Sequence, residues 1–237
     1  MSRRLSIALL TLLVPLVLLG TVIRIEMNSA SLYCRGFEIY SVSEVTGIDD
    51  DQLASIPPHL VRYFNGLETS AQMKIPTRDG TELTLFHDYE LIHLDDVRKL
   101  FGLNSLLQSL GLAAIVLMLA SAACSRRDED KQGALAGLRL GSSLALFGLV
   151  ALGILFATQF NRMFAGFHML AFTNDFWLLD PRTDYLVMLF PTGFWQDVFF
   201  MAGGLTGLLA LVIVLATSLL ERKIARQERP SADTEDV

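Results

Sequence analysis

Four long apolar runs limit this chain to a small set of possible folds. Each holds about 20 residues without an internal charge, the length that a helix needs to cross the hydrocarbon core of a bilayer. The runs are Ser6–Ile23, Leu103–Ala123, Leu140–Phe160 and Val198–Leu220. Because the bilayer core offers no water, the backbone there must satisfy its own hydrogen bonds, and the runs are predicted to be helices. The sequence therefore predicts a mainly α-helical membrane protein with four spanning helices.

The first run has a second interpretation, a cleaved signal peptide, because Ser2-Arg3-Arg4 gives it a basic start. Two features favour a retained helix instead. The run is longer than the apolar region of a typical signal peptide, and Arg24-Ile25-Glu26 follows it in place of a small-residue cleavage site.

The positions of lysine and arginine predict the orientation of the helices. Basic residues are frequent at the N-terminus, between the second and third runs, and after the fourth run. The connection between the third and fourth runs has only Arg162 and Arg182. Both termini are therefore predicted to be cytoplasmic. The net charge of −6 gives no basic field, so no nucleic-acid partner is expected.

The runs and their orientation divide the chain into eight predicted segments. These are spanning helix 1 with a cytoplasmic N-terminus (1–23), an extracytoplasmic domain (24–102), spanning helix 2 (103–124), a cytoplasmic loop (125–139), spanning helix 3 (140–160), an extracytoplasmic loop (161–197), spanning helix 4 (198–220) and a disordered cytoplasmic tail (221–237). Gly133, Gly137 and Gly141 recur at the spacing of close helix packing.

The extracytoplasmic domain is predicted to be α-helical with a small β component. Asp49–Tyr63 has helical spacing of apolar residues, and Pro57-Pro58 should break or restart that helix. Arg78-Asp79-Gly80 is typical of a turn, and Glu82–Phe86 of a short strand beside it.

Two further helical features are expected near the membrane. Asp95 or Asp96 is placed to cap the second spanning helix. In the outer loop, Phe164–Leu179 is predicted to be a short amphipathic helix along the membrane interface, which Asp180-Pro181 ends.

Two polar clusters lie next to the apolar runs on the predicted outer side. The first is the segment from His93 to Arg98, and the second is the stretch Phe164–Asp197. The second cluster includes His168, Asn174, Asp175, Asp180 and Asp184 beside the aromatic residue Trp177. Ionisable groups at the edge of a bilayer indicate a functional site, although Trp177 also suits the aromatic belt of a membrane interface.

The order of these motifs resembles a known family. The sequence contains Y-F-N-G, then E-x-x-H-L-D-D-V-R, then F-H-x-x-x-F-x-N-D-x-W-x-L-D-P-x-T-D-x-L-x-x-L-F-P-x-x-F-W. This order is similar to that of the four-helix bacterial membrane proteins that include the lipoprotein intramolecular transacylase. The resemblance spans nearly the whole chain.

The resemblance implies an acyl transfer at the outer leaflet of the bacterial cell membrane. In that family the sn-2 acyl chain of a diacylated lipoprotein moves to the α-amine of its N-terminal cysteine, which leaves a lyso-form lipoprotein. The family's essential histidines correspond to His93 and His168 here. The partners implied are the lipoprotein substrate and membrane lipid, and no cofactor is implied because exchange of an ester for an amide is downhill.

The residues are chemically suited to such a reaction. A histidine with a pKa of about 6.5 can take the proton of an amine and return one to the leaving glycerol oxygen. Carboxylates can orient an imidazole, and Asp95, Asp96, Asp175 and Asp180 are the candidates. Arg98 and Asn174 are candidate donors to an oxyanion. We hypothesise that His93 is the principal base and that His168 is its acid or orienting partner.

Three alternatives stay open at this point. A membrane esterase would use the same histidines to activate water. A metal-dependent enzyme would use them as ligands with the carboxylates, although no close H-x-x-x-H pair is present. A scaffold or sensor would use them only for packing.

Overall fold

The computed structural model describes residues 2–76 and 81–227, and these residues form nine helices and two short strands. In chain order the elements are α1 (Arg3–Met27), α2 (Ala30–Ile39), α3 (Val42–Thr46), α4 (Asp50–Leu53), α5 (Ile56–Phe64), β1 (Lys74–Pro76), β2 (Glu82–Thr84), α6 (Asp88–Cys124), α7 (Asp128–Ala171), α8 (Tyr185–Leu189) and α9 (Thr192–Gln227). The prediction of a mainly α-helical chain is confirmed.

Four of these helices contain the predicted apolar runs. Within the described residues, α1, α6, α7 and α9 are long and apolar enough to cross a membrane, as predicted. Helix α6 has 37 residues and α7 has 44, whereas about 20 residues of helix cross the hydrocarbon core. Residues 88–102 of α6 and 161–171 of α7 are thus helical but lie outside the predicted spans.

The chain divides into two units, and the first comprises the residues up to Leu19, Gln108–Ala151, and those from Gly204 onward. Here α7 approaches α1 closely. A Cβ added at Gly137 would lie 2.8 Å from Cβ of Leu10, and one at Gly141 would lie 2.9 Å from the Leu10 carbonyl oxygen. The predicted close packing at these glycines is therefore present.

The second unit comprises Gly20–Leu107 and Leu152–Gly203. Its core is aromatic: the ring of Phe190 lies 5.6 Å from that of Tyr33 and 5.4 Å from that of Phe37, between centroids. Strands β1 and β2 pair antiparallel, with Ile75 opposite Leu83. The predicted strand is thus present, whereas the predicted turn at Arg78-Asp79-Gly80 lies outside the described residues.

The predicted helix over Asp49–Tyr63 forms as two short helices, α4 and α5. Pro57 and Pro58 lie in the first turn of α5. The missing N–H of proline is tolerated there, because the first turn has no intrahelical partner for it. The prolines therefore restart the helix, as expected.

The prediction that Asp95 or Asp96 caps the second spanning helix is wrong. Helix α6 begins at Asp88, so both aspartates lie inside it. The backbone N–H of His87, which precedes the helix, donates to the Glu90 carboxylate at 2.7 Å. This is the back-bond of a capping box, and it starts the helix earlier than the apolar pattern suggests.

The interfacial helix predicted over Phe164–Leu179 is also shorter than expected. Residues 164–171 are the last turns of α7, which is broken at Gln159 (φ −137°, ψ 33°) and ends at Ala171. Beyond it, the side-chain oxygen of Asn174 accepts a hydrogen bond from the backbone N–H of Phe176 at 3.1 Å. Such a local bond competes with helix formation.

The predicted tail from residue 221 begins as helix, because α9 continues to Gln227. Glu221 forms an ion pair with Arg139 of α7, which holds this turn in place. The rest of the tail lies outside the described residues.

Candidate active site

The two histidine motifs of the sequence meet in the second unit. His93 lies in the second turn of α6 and His168 in the last turn of α7. Their ring centroids are 5.8 Å apart, with the ring planes tilted by 33°. Each residue is only 7% exposed. Two imidazoles from segments far apart in the sequence therefore share one buried site.

The orientation of His168 is fixed by the backbone of its own helix. Its Nδ1 lies 2.7 Å from the carbonyl oxygen of Phe164. A carbonyl oxygen only accepts hydrogen bonds, so Nδ1 carries the hydrogen and the neutral ring has its lone pair on Nε2. His168 is therefore held as the tautomer whose Nε2 can accept a proton.

His93 is held differently. Its Nδ1 is buried and makes no hydrogen bond to any described residue, while the ring packs edge-on against Phe172 at 5.1 Å between centroids. A buried polar atom without a partner costs about 1–3 kcal/mol, so its presence in a native structure calls for an explanation, and a catalytic role is one such explanation.

Aromatic rings surround the histidine pair. The rings of Phe164, Phe172 and Trp177 lie 4.4 Å, 5.5 Å and 5.0 Å from that of His168, between centroids. Trp177 thus packs on the catalytic candidate itself, whereas the sequence suggested chiefly a membrane-interface role. These contacts restrict the position of the imidazole.

The histidines line a cavity of about 440 Å³, a volume typical of small-molecule sites. Most of its wall is apolar and comes from helices α6, α7 and α8 and the segment before α8. Its lining includes Phe64, Leu94, Val97, Phe101, Leu186 and Phe190. The cavity is suited to hold hydrocarbon next to two groups that transfer protons.

The surroundings keep both imidazoles neutral. Burial lowers the pKa of His93 to about 4, with a further lowering by His168 that the nearby Asp96 opposes. Burial also lowers the pKa of His168, although its bond to the Phe164 carbonyl works in the opposite direction. At neutral pH both rings are therefore available to accept a proton or to donate an N–H.

The carboxylates that follow His93 point to other partners. Asp95 accepts a short hydrogen bond from the Tyr63 hydroxyl, and Asp96 accepts from Asn174 Nδ2 at 2.8 Å. The bond from Asn174, and then that from Lys99, hold the pKa of Asp96 below its usual range. Among the described residues, neither carboxylate is hydrogen-bonded to His93 or His168.

Arg98 does not lie free at the site as an oxyanion donor. Its guanidinium carbon lies 4.8 Å from the centre of the Tyr63 ring, a cation–π contact. Asn174 bonds to Asp96, so it joins the segment between α7 and α8 to α6. Both side chains are thus engaged with neighbouring groups.

The aspartates between α7 and α8 have different surroundings. Asp175 is exposed. Asp180 forms an ion pair with Arg182 at 2.6 Å, and this hydrogen-bonded cation lowers its pKa to about 2. Asp184 is buried and accepts from the Tyr89 hydroxyl at 2.7 Å. Burial raises the pKa of Asp184, but hydrogen bonds from Tyr89, the Asp180 N–H and Thr183 outweigh it and lower the pKa overall.

Glu90 is the first residue of the E-x-x-H-L-D-D-V-R motif, but sequence reasoning assigned it no role; it is fully buried. Its carboxylate accepts hydrogen bonds from Nδ1 of His87 at 2.9 Å and from the backbone N–H of Leu186 at 2.7 Å. Glu90 thus joins the start of α6 to the start of α8, both of which line the cavity. Its position three residues after His87 was the available signal, although histidine is not a usual first member of a capping box.

Metal-ligating groups are not clustered in the part of the chain that the structure describes. No three histidine, cysteine, aspartate or glutamate side chains there lie close enough together to hold one ion.

The same fold occurs in solved structures. The in meso structure of the membrane integral lipoprotein intramolecular transacylase Lit from Bacillus cereus matches with a TM-score of 0.70 at 19% identity, over 96% of this chain and 97% of that one. A form of that protein with one histidine replaced by arginine gives a TM-score of 0.76 at 16% identity, over 95% of each chain. The form with the same histidine replaced by alanine gives 0.76 at 16%, over 94% of this chain and 96% of that one.

Sequence comparison assigns the family. Comparison with curated proteins finds no match to this chain. The family model of the lipoprotein intramolecular transacylase Lit, however, matches residues 8–195, which include both histidine motifs. The chain is therefore a multi-pass membrane enzyme that belongs to the lipoprotein intramolecular transacylase family.

Proposed function

We propose that this enzyme moves the sn-2 acyl chain of a diacylglyceryl lipoprotein to the α-amine of the lipoprotein's N-terminal cysteine. The product is a lyso-form lipoprotein. The observation that carries the proposal is the pair of buried histidines, 5.8 Å apart, in the wall of an apolar cavity. The cavity suits acyl chains, and the imidazoles suit the proton transfers that the reaction needs.

The chemistry exchanges one bond for another within the same molecule. The α-amine attacks the ester carbonyl, a C–N bond forms, and the bond between the carbonyl carbon and the glycerol oxygen breaks. One proton leaves the nitrogen and one reaches the glycerol oxygen, so the atoms balance without a cofactor. An α-amine with a pKa of about 8 is partly protonated at neutral pH, so a base is needed before attack.

The geometry favours a division of roles opposite to the one hypothesised from the sequence. His168 has Nε2 as its free basic nitrogen, so it takes the proton from the amine and delivers it to the leaving oxygen. Burial and His168 lower the pKa of His93 to about 4, although the nearby Asp96 carboxylate opposes this. His93 therefore stays neutral and donates its N–H to the oxyanion of the tetrahedral intermediate.

The apolar wall also favours aminolysis over hydrolysis. Side chains such as Phe101 and Phe190 line the cavity and leave few groups that bind water. Exclusion of water protects the ester and strengthens the electrostatic interactions of the imidazoles. The substrate's own amine is then the nucleophile at highest local concentration.

We also propose that this site faces outward, with both chain termini in the cytoplasm. The basic residues near the termini and between the second and third spans support this orientation. A variant in which Cys34 and Cys124 are replaced by serine and Ser70 by cysteine tests it, through attachment of a thiol-reactive, membrane-impermeant label in intact cells. Protection of the cysteine at position 70 would contradict the orientation.

Tandem mass spectrometry tests the reaction. Purified enzyme in lipid receives an equal mixture of two diacyl lipopeptides, one of which has a deuterated sn-2 chain. We expect the mass of each peptide to stay constant while the fragment spectrum places its own acyl chain on the cysteine amine. Exchange of label between peptides would contradict intramolecular transfer, and release of fatty acid would indicate an esterase.

A further inference from the structure

We propose that the break in α7 forms a second site, which binds a phosphate group carried by an anionic phospholipid. The site lies at the outer end of the third predicted span. It is separate from the histidine cavity, and the two sets of lining residues have no member in common. The proposal does not depend on the acyl-transfer chemistry.

The site begins with an interruption of the helical backbone. Gln159 has φ −137° and ψ 33°, outside the helical region, in the middle of a 44-residue helix. Non-helical backbone near membrane depth is tolerated where it lines a polar cavity, because the freed backbone groups need partners. The neighbouring residues provide such a setting.

An open concavity of about 390 Å³ lies at this break. Its polar lining includes Gln159, Asn161 and Arg162 from α7 and Gln196 from α9. An arginine offers five N–H donors and each amide side chain offers two. The concavity therefore brings together many hydrogen-bond donors from two helices.

The charge of this concavity is not compensated. Arg162 is its one charged lining residue, and within the residues whose side chains the structure describes Arg162 makes no ion pair. The nearest carboxylate in sequence to Gln196 is Asp197, which accepts from the Tyr40 hydroxyl at 2.8 Å. An anion is thus the complementary ligand.

Phosphate is the anion that fits this position. The planar guanidinium of arginine binds phosphate through two parallel hydrogen bonds, and amide N–H groups can bind its remaining oxygens. A basic pocket between spanning helices can bind the head group of an anionic lipid, as such pockets do at the cytoplasmic side of membranes. The predicted span ends at Phe160, so Arg162 lies at that level.

The position also connects the site to His168. The ring of Phe160 stacks on that of Phe164 at 5.6 Å between centroids, and the Phe164 carbonyl holds Nδ1 of His168. A headgroup bound at Gln159–Arg162 would therefore hold the start of the segment that carries the imidazole.

Native mass spectrometry of the full chain in detergent tests the proposal, with titration of dioleoylphosphatidylglycerol, of dioleoylphosphatidylcholine, or of inorganic phosphate. The test variant is Arg162→Gln. The matched control is Arg182→Gln, which removes an exposed arginine between α7 and α8 that is already paired with Asp180. Arg162→Lys keeps the charge but removes the planar fork.

We expect the wild-type protein to bind phosphatidylglycerol at least tenfold more tightly than phosphatidylcholine, which has no net charge. Arg162→Gln should bind phosphatidylglycerol about tenfold more weakly than wild type, and Arg162→Lys should show a smaller decrease in affinity. Arg182→Gln should bind it as tightly as wild type. Binding of inorganic phosphate that depends on Arg162, without binding of the lipid, would support the phosphate site but overturn the lipid as its source. Equal binding of phosphatidylglycerol by wild type and Arg162→Gln would overturn the site itself.

Discussion

Replacement of Glu90 is the perturbation whose effect can be worked out most fully from the structure. The fully buried carboxylate accepts three hydrogen bonds: from the His87 N–H at 2.7 Å, from His87 Nδ1 at 2.9 Å and from the Leu186 N–H at 2.7 Å. Glu90→Ala removes the acceptor from all three donors. A buried donor left without a partner costs about 1–3 kcal/mol, and breaking a buried charged network costs about 3–5 kcal/mol.

We therefore expect Glu90→Ala to lower the free energy of unfolding by about 3–5 kcal/mol. Glu90→Gln keeps one acceptor oxygen but turns an amide N–H₂ toward a donor. Its free energy of unfolding should therefore lie between those of wild type and Glu90→Ala. The matched control is Glu82→Ala. Glu82 pairs with Lys74 at 2.9 Å, but both side chains are about two-thirds exposed (65% and 68%), so this change should cost about 0–1 kcal/mol.

Thermal unfolding in detergent micelles, followed by the fluorescence of Trp177 and Trp195, measures these differences. For a chain of this size, 1 kcal/mol shifts Tm by about 2–4 °C, so Glu90→Ala should unfold roughly 6–20 °C below wild type. Equal Tm values for Glu90→Ala and Glu82→Ala would refute the assignment of Glu90 as the link between α6 and α8.

Three further predictions follow from other contacts. The pKa of His93 is about 4 in the folded chain and about 6.5 in the unfolded chain, so the unfolded chain binds the proton first as pH falls. The contribution of His93 to the free energy of unfolding is therefore complete above pH 6.5 and decreases by about 3 kcal/mol between pH 6.5 and pH 4. Thermal unfolding across that range should show a shallower loss for His93→Gln, and equal slopes would contradict the burial of His93. A Cβ at Gly36 would lie 2.5 Å from the ring of Phe194, so Gly36→Ala should lower the free energy of unfolding by about 1–3 kcal/mol. The control Gly166→Ala, which has open space around its Cβ, should be neutral or stabilising in the same unfolding assay. Trp177→Ala should lower kcat at least tenfold because it removes the ring packed on His168, and Trp177→Phe should retain most of it; equal activity of both variants would exclude a positioning role.

The features that sequence reasoning predicted are those that depend on local patterns. The four apolar runs mark the four long helices because spanning a bilayer imposes both length and composition. The strand at Glu82–Thr84 follows from alternation of residue types over a few positions. The two histidine motifs were singled out because they are polar sequences beside apolar ones.

The partners of individual side chains could not be predicted in the same way. Tyr89 and Asp184 are separated by 95 positions, and nothing in either local sequence indicates their hydrogen bond. Asp95 and Asp96 were placed at a helix start because the apolar run begins after them. The actual start depends on the bond between Glu90 and the His87 backbone.

The orientation of His168 shows the same limit. The sequence offered several aspartates as partners for an imidazole, whereas the bond goes to the carbonyl oxygen of Phe164. Every residue has a carbonyl oxygen, so the residue types alone do not indicate which one accepts the bond. The availability of the Phe164 carbonyl oxygen to His168 depends on the path of α7 beyond the break at Gln159.

Single-turnover acyl transfer by four forms of the enzyme tests whether the two cavity histidines carry the reaction. The forms are wild type, His93→Ala, His168→Ala and His59→Ala, the last a histidine outside the cavity lining whose Nε2 lies 3.1 Å from the Ser70 carbonyl oxygen. We predict that His59→Ala forms N-acylated product at the wild-type rate, and that each of the other two is slower by at least about a hundredfold. Wild-type rates in both His93→Ala and His168→Ala would contradict the account.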